Sequence, residues 1–249
     1  MSKIAIIGGT GLTALHSLQI LYEETVETPF GVPSSPISVG KFADQEILFI
    51  ARHGANHNIP PHKVNYRANL WALHQMGVSK IIAMAAVGGI GDAFEPRAIA
   101  IPDQIIDYTY VRNQTFYEDN LEDVTHIDFS YPYCEALRKD LIDAAGRAKV
   151  SVLTKATYGA TQGPRLETAA EIRRLQQDGC DIVGMTGMPE AALAKELGIC
   201  YATCALVANW AAGKGGEGVI TTDEIHRNVE DGLVHIYALL TAYFRHQQA

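Results

Sequence analysis

Two apolar runs of the chain end in residues that can hold an anion. Arg52 and His53 follow the apolar run of "EILFIARHG", and a guanidinium is the side chain best suited to bind phosphate with paired donors. The run "IIGGTGL" ends in glycines around Thr10, where backbone N–H groups can approach an anion and the hydroxyl adds a donor. The spacing is neither GxGxxG nor a P-loop, so the pattern predicts a phosphate site without a nucleotide-binding fingerprint.

Two further polar side chains could read the edge of a neutral heterocycle. Glu167 begins the helical pattern "ETAAEIRRLQQDG", and Asn209 follows the apolar run "CALVA". Taken singly, each has an ordinary explanation, since acidic residues favour helix N-termini and Asn favours turns. Together with an anion site, a carboxylate and an amide offer the acceptors and donors that a ring with N–H and C=O groups requires.

Met185 and Thr186 follow another apolar run, in "GMTGMPE". A lone Met at such a position more often fills the core than binds a ligand.

Other common catalytic motifs are missing from the sequence. It contains no HExxH or CxxC spacing for a metal and no GxSxG nucleophile elbow. We therefore expect no metal.

These residues stand at the ends of short apolar runs that alternate with helical patterns. Such alternation predicts an α/β fold with a mixed central β-sheet flanked by helices, in a single domain over residues 1–249. In sheets of this type ligands gather beyond the carboxyl ends of the strands. Thr222 is expected to cap a long last helix, and residues 107–132 are expected to form a surface loop or an interface segment. The predicted strands are "KIAIIGG", "EILFIARHG", "KIIAMAAVGG", "AIAIPDQIID", "CDIVGM" and "ICYATCALV", and the other predicted helices are "HKVNYRANLWALHQMG", "ETAAEIRRLQQDG" and "PEAALAKELG".

Composition excludes several classes of partner. The net charge of −8 disfavours nucleic acid, and no apolar run approaches the ~20 residues of a membrane span. The beginning, "MSKIAIIGGTGL", predicts a strand and a turn rather than a signal peptide, which favours a cytoplasmic location. In that compartment the four cysteines are expected to be reduced, and Cys200 and Cys204 are too far apart along one strand to bond.

The chain resembles the trimeric purine nucleoside phosphorylases, in the branch of the 5′-methylthioadenosine phosphorylases. The resemblance spans nearly the whole chain. Its matching stretches are "GGTGL", "ARHGANHNIPPHKVNYRANLWAL", "AAVGGIG", "GPR" with "ETAAE", and "MTGMPEAALAKELGICYA". It implies a nucleoside phosphorylase-like, three-layer α/β/α fold, a homotrimer, and attack of inorganic phosphate on C1′ of a purine nucleoside. Phosphate is then a co-substrate, and no cofactor is required.

The resemblance also assigns roles to residues. It places Thr10, Arg52, His53, Thr186 and the backbone near Ala86 around phosphate. It places Met185 beneath the ribose, Leu166 where the family has a base-stacking Phe, and Thr222 and Ile225 near the 5′ substituent. His126 matches a histidine that reaches into the neighbouring subunit's 5′ pocket. Ala85 stands where the family has a Thr, which removes one hydroxyl from the phosphate site.

The purine end departs from the methylthioadenosine branch. Where that branch resembles "TDYD", this chain has "ANWA", so that Asn209 and Ala211 replace two aspartates. An Asn together with Glu167 is the pattern of the enzymes that cleave 6-oxopurine nucleosides. Glu167 can accept from N1–H and Asn209 can donate to O6 or N7, whereas adenine presents an acceptor to Glu167. A buried mismatch of this kind could give discrimination of about 10³.

The expected substrate is therefore 5′-methylthioinosine, with Asn209, Glu167 and His53 as catalytic residues. Two alternatives stay within the class: a general inosine and guanosine phosphorylase, which would cleave 5′-hydroxyl substrates equally well, and a methylthioadenosine phosphorylase, which would prefer adenine. A nucleoside hydrolase would act without phosphate, and a non-catalytic nucleoside-binding protein would not act at all.

Overall fold

A mixed sheet of ten strands forms the centre of the protein in the computed structural model, which describes residues 3–12, 15, 18–119, 123–216 and 219–247. Within these residues the strands are β1 (Lys3–Gly8), β2 (Gln19–Glu24), β3 (Ile37–Phe42), β4 (Gln45–Ala51), β5 (Val78–Gly89), β6 (Ile99–Ala100), β7 (Gln104–Asp107), β8 (Thr157–Ala160), β9 (Ile182–Gly184) and β10 (Cys200–Trp210). The helices are α1 (Tyr66–Gln75), α2 (Glu135–Ala148), α3 (Ala169–Gln177), α4 (Gly187–Glu196) and α5 (Thr222–His246), with a 3-10 turn at Pro61–Lys63.

The strand order is β2-β3-β4-β1-β5-β9-β8-β7, and β10 pairs with β5 and β6. Strand β5 is the longest of these and runs parallel to both β1 and β10. The pairs β2–β3, β3–β4, β5–β9 and β6–β10 are antiparallel. The carboxyl ends of β1, β4, β5 and β10 therefore open on the same edge, and the predicted mixed α/β sheet is confirmed.

Helices cover both faces of this sheet. Leu70 and Leu73 of α1 pack with Leu193 of α4 in one buried cluster, while α2 and α5 contribute to a second cluster on the other face. Burial on both sides explains why β1, β4, β5 and β10 read as continuous apolar runs rather than as alternating ones. The three-layer arrangement expected from the sequence follows from this packing.

The last helix has the expected extent but a different cap. The side chain of Thr221 accepts a hydrogen bond from the Glu224 backbone N–H at 3.2 Å, and Thr222 is the first helical residue. The prediction of Thr222 as the cap is wrong by one position. A capping side chain requires an extended backbone, which Thr221 has with φ −108° and ψ 147°.

The stretch "AIAIPDQIID", predicted as one strand, forms two. β6 pairs with β10, and β7 pairs with β8. Pro102 lies between them and has no backbone N–H to continue a ladder. The chain uses this break to pass from one part of the sheet to another.

The cysteines also differ from expectation. Cys134, at the N-terminus of α2, and Cys200, the first residue of β10, form a disulfide with their Cα atoms 5.1 Å apart. The prediction of four reduced thiols is wrong for this pair, because 66 residues separate the two in sequence and only the fold brings them together. Cys180 and Cys204 are free and buried. None of the helices in the described part of the chain has the length and hydrophobicity to cross a membrane.

Candidate active site

A cavity of about 430 Å³ lies where β1, β4, β5, β9 and β10 reach their carboxyl ends. Eleven of the thirteen residues predicted from the sequence line it. These are Thr10, Arg52, His53, Ala86, Leu166, Glu167, Met185, Thr186, Asn209, Ala211 and Ile225. The cavity lining includes the charged or polar side chains of Arg52, Glu167 and Asn209 and the apolar side chain of Ile225.

Arg52 is fully buried and held by a carboxylate that the sequence analysis did not single out. Its Nε and Nη2 donate to the two oxygens of Glu190, each at 2.7 Å, and its Nη1 donates to the Met84 carbonyl at 2.8 Å. Burial by itself would lower the pKa of the guanidinium, but the Glu190 carboxylate outweighs it and the pKa is raised. A guanidinium has five N–H donors, so two remain for a ligand in the cavity.

Glu190 follows Pro189 in the otherwise apolar start of α4. A charged residue in an apolar stretch was the only indication in the sequence that Glu190 has a partner in the site. Its second partner is the Tyr201 hydroxyl, which donates at 2.9 Å. The carboxylate is completely buried. A buried charge with two partners of this quality fixes the orientation of Arg52.

His53 is held in one neutral form. Its Nδ1 lies 2.9 Å from the Ile59 carbonyl oxygen, which can only accept, so Nδ1 carries the proton. Burial and the Arg52 charge lower the pKa of His53 to about 4. At neutral pH the ring is therefore uncharged, and Nε2 is an acceptor.

The glycine turn after β1 brings backbone close to this cation. A Cβ atom at Gly9 would lie 2.6 Å from the Met84 carbonyl oxygen and 3.1 Å from Arg52 Nη1. Only glycine fits there, which is the reason for the run around Thr10. Across the cavity, Thr186 is buried at the N-terminus of α4, and its backbone N–H donates to the Tyr158 hydroxyl at 3.3 Å.

Asn209 owes its position to a bulge in β10. Val207 pairs with Val87 and Asn209 pairs with Gly88, so that Ala208 is an extra residue in the ladder. A bulge re-aims the side chain that follows it. Asn209 is buried, and its Nδ2 donates to the Trp210 carbonyl at 2.7 Å. One N–H and the Oδ1 acceptor remain available to a ligand.

Glu167 lies just before α3 rather than inside it. The cap of that helix is Thr168, whose side chain accepts from the Glu171 backbone N–H while the Glu171 carboxylate accepts from Thr168. Glu167 therefore takes no part in the capping box of α3. Its Oε1 instead accepts a hydrogen bond from the Thr161 hydroxyl at 2.6 Å.

Two predicted residues stand apart from the cavity. Thr222 is exposed and outside the lining, where Ile220 and Ile225 lie instead. His126 is exposed and does not line the cavity of its own chain. His57 lines the cavity and was missed, although it follows Arg52 and His53 by a few residues in "RHGANH".

The family model described as "Phosphorylase superfamily" matches residues 3–245 of the chain. The chain belongs to this superfamily. The family and the enzyme class expected from the resemblance, a phosphate-dependent nucleoside phosphorylase, are thereby confirmed.

Individual relatives of this phosphorylase fall into three groups by name. A "Probable S-methyl-5′-thioinosine phosphorylase" of Pseudomonas syringae pv. tomato is 53% identical over 240 residues, which is 96% of this chain and 97% of that one. A "6-oxopurine nucleoside phosphorylase" of Pyrococcus furiosus is 49% identical over 222 residues, covering 87% and 83%. The structure of a methylthioadenosine phosphorylase from Schistosoma mansoni in complex with adenine superposes with a TM-score of 0.94 at 32% identity, covering 98% and 91%.

Proposed function

We propose that this phosphorylase cleaves 5′-methylthioinosine with inorganic phosphate to give hypoxanthine and 5-methylthioribose 1-phosphate. The observation that carries the proposal is that Glu167 and Asn209 line the same cavity as Arg52. The name of the Pseudomonas syringae relative, which is 53% identical, supports it.

Phosphate would occupy the end of the cavity at Arg52. The two unused N–H groups of Arg52, the hydroxyls of Thr10 and Thr186 and the backbone near Ala86 are its proposed donors. Because Nε2 of neutral His53 is an acceptor, it suits the hydroxyl of a monoprotonated phosphate. An oxygen of phosphate attacks C1′, the C1′–N9 bond breaks, and its electron pair passes to the purine. Positioning and hydrogen bonding account for the chemistry, so the proposal needs no metal or cofactor.

The departing base would form hydrogen bonds with the protein at three atoms. The free Oε2 of Glu167 accepts from N1–H, the remaining N–H of Asn209 donates to O6, and Asn209 Oδ1 accepts from N7–H of the released hypoxanthine. The donation to O6 strengthens as negative charge gathers on the base. The proton that the monoprotonated phosphate loses on attack balances the proton that N7 gains, and this N7–H then donates to Asn209 Oδ1. Adenine would set its N1 lone pair against the Glu167 carboxylate.

The 5′ substituent would lie against Ile220 and Ile225, whose apolar surfaces suit a methylthio group. We propose that His126 completes the neighbour's 5′ pocket in a homotrimer. The segment that carries it exposes Tyr110 (64%), Val111 (95%) and Tyr131 (74%), apolar side chains that a neighbouring subunit would cover. We also propose that the enzyme is cytoplasmic, where phosphate is available as co-substrate and where the Cys134–Cys200 pair would exist as thiols.

The test is base release from 5′-methylthioinosine, inosine and 5′-methylthioadenosine, each with and without phosphate. The proposal requires phosphate dependence and the highest kcat/KM with methylthioinosine. Cleavage without phosphate would overturn the reaction, and a preference for methylthioadenosine would overturn the roles of Glu167 and Asn209. Sedimentation of the same preparation measures the oligomeric state.

A second candidate is a general 6-oxopurine nucleoside phosphorylase, which the name of the Pyrococcus furiosus relative favours. It shares the base contacts and differs only at the 5′ pocket. Inosine cleaved as efficiently as methylthioinosine would establish it.

A further inference from the structure

The carboxylate of Glu167 borders two cavities. One is the active-site cavity, and the other is a cavity of about 380 Å³ whose lining includes Tyr108, Arg165 and Arg174. A glutamate has three rotatable side-chain bonds, so its orientation toward the purine has to be enforced by a neighbour. The second cavity offers the same carboxylate a competing position beside two cations.

Thr161 is the hydrogen-bond partner that the described part of the chain gives to this carboxylate. Its hydroxyl lies 2.6 Å from Glu167 Oε1 and 3.3 Å from the Gly184 carbonyl oxygen. A hydroxyl has one proton to donate, and the shorter bond to the charged acceptor takes it. Oε1 is thereby occupied, and Oε2 is left for the ligand.

The backbone of Thr161 is itself anchored on both sides. Its N–H donates to the Gly184 carbonyl at 2.8 Å, and its carbonyl accepts from Arg112 Nη2 at 3.2 Å. Arg112 also donates to the carbonyls of Gln162, at 2.8 Å, and Met185, at 2.9 Å. The hydroxyl therefore projects from a point tied to the strand end that carries Met185.

Arg165, a cation that lines the second cavity, is bonded to a different carboxylate. Both terminal nitrogens of Arg165 are engaged by the Glu171 carboxylate, at 2.7 and 2.8 Å. Glu171 is fixed in turn by its capping bonds to Thr168. Glu167 is thus oriented by a neutral hydroxyl, which leaves its charge free to act on N1–H.

We propose that Thr161, which lines the second cavity, is a positioning residue that sets the preference of this enzyme for 6-oxopurines, by fixing Oε1 of Glu167 where the two cavities meet and leaving Oε2 for the base. The inference rests on the proposed function and assigns it a further residue. Thr161 touches no reacting atom, and it acts through Glu167.

The test compares Thr161→Val, which keeps the shape and removes the hydroxyl, with Thr161→Ser, which keeps the hydroxyl. We expect Thr161→Val to lower kcat/KM for methylthioinosine about 10- to 100-fold, as for a lost hydrogen bond to a charged group, while cleavage of methylthioadenosine falls much less. Thr161→Ser should restore most of the loss. Thr109→Val is the matched control, because Thr109 lines the same second cavity without contacting Glu167.

A double-mutant comparison separates positioning from packing. In a Glu167→Ala background, Thr161→Val should cause no further loss, since the group it orients is gone. An equal loss in both backgrounds would overturn the inference, and so would full activity of Thr161→Val or failure of Thr161→Ser to restore it. Thr161→Ala replaces Thr161→Val if the latter does not fold. Wild-type enzyme that cleaves no 6-oxopurine nucleoside would instead refute the proposed function, so the two failures are distinguishable.

Discussion

The side-chain amide of Asn228 donates a hydrogen bond at 2.8 Å to the carbonyl oxygen of Ala208, the extra residue of the β10 bulge. Asn228 lies on α5 and is buried, and its Oδ1 accepts from Arg97 Nε at 3.1 Å. The bulge that aims Asn209 is therefore held by the last helix, the element that also carries Ile225. Asn209 and Ile225, which both line the cavity, therefore share one support.

Replacing Asn228 by Asp should weaken this support while keeping the volume of the side chain nearly unchanged. A carboxylate would face the Ala208 carbonyl with no proton to donate, while the contact with Arg97 remains. We expect a loss of stability of about 1–3 kcal/mol and a fall in kcat that exceeds any change in the KM for phosphate. Denaturant unfolding and steady-state kinetics measure both. An unchanged kcat would show that the bulge holds Asn209 without Asn228.

Replacing Glu190 by Gln should impair phosphate binding in particular. The amide keeps the volume of the carboxylate but leaves the buried Arg52 charge unbalanced, which costs about 3–5 kcal/mol in comparable buried pairs. We expect a lower melting temperature and a KM for phosphate raised at least about tenfold, with a smaller change in the KM for the nucleoside. Glu230→Gln, on the exposed face of α5, is the control and should change neither. A selective rise in the nucleoside KM instead would contradict the placement of phosphate at Arg52.

His53 should make the folded protein less stable in mild acid. Its pKa is about 4 in the folded chain and 6.5 without the fold, so that between these values the unfolded chain binds the extra proton. The free energy of unfolding should therefore fall as pH drops from about 6.5 toward 4, by up to about 3 kcal/mol from this group.

Urea unfolding at several pH values measures how steeply the free energy of unfolding depends on pH. His53→Gln should reduce this slope between about pH 6.5 and pH 4. His235→Gln, an exposed position on α5, should leave the slope as it is. If His53→Gln shows the wild-type slope, the buried neutral histidine is not its source.

The Cys134–Cys200 disulfide should stabilise the fold with little effect on catalysis. It closes a long loop, with a sequence separation of 66 residues. Removing the bond is expected to lower the free energy of unfolding by about 2–4 kcal/mol. Cys200 begins β10 and Asn209 lies nine residues further on, so the bond is roughly 30 Å from Asn209 in the cavity.

The double variant Cys134→Ser with Cys200→Ser, compared with reduced and oxidised wild type by calorimetry, tests this expectation. The variant should melt like the reduced wild type and keep its kcat near that of the oxidised enzyme. A large fall in kcat at a temperature where the variant is folded would place the bond in the active-site machinery.

The sequence predicted the centre of the sheet better than its edge. β1, β4, β5 and β10 are buried on both faces, so their apolar runs were unmistakable and their ends gave the cavity. β2 is exposed along its whole length and carries no burial signal, and α2 was missed because charged residues break its apolar pattern. Strand pairing at the edge is decided by neighbours that composition does not reveal.

The partners of the site residues were less predictable than the residues themselves. Arg52 and its carboxylate Glu190 are 138 positions apart, and no local pattern joins them. Thr161 is only six positions from Glu167 but reads as an ordinary residue after a short strand. Residue types indicate which groups can bind a ligand, whereas the groups that orient them appear only once the chain is folded.

The β10 bulge has a consequence for how such enzymes can change their purine. Asn209 and Ala211 alternate along one extended segment and both line the cavity, while the Ala211 backbone N–H is bonded to the Gly89 carbonyl at 2.9 Å. The Ala211 backbone is thus held by the sheet whatever its side chain is. Side chains at these two positions can change the groups that face a ligand while the strand that presents them keeps its pairing, so a change of ligand preference does not require a change of fold.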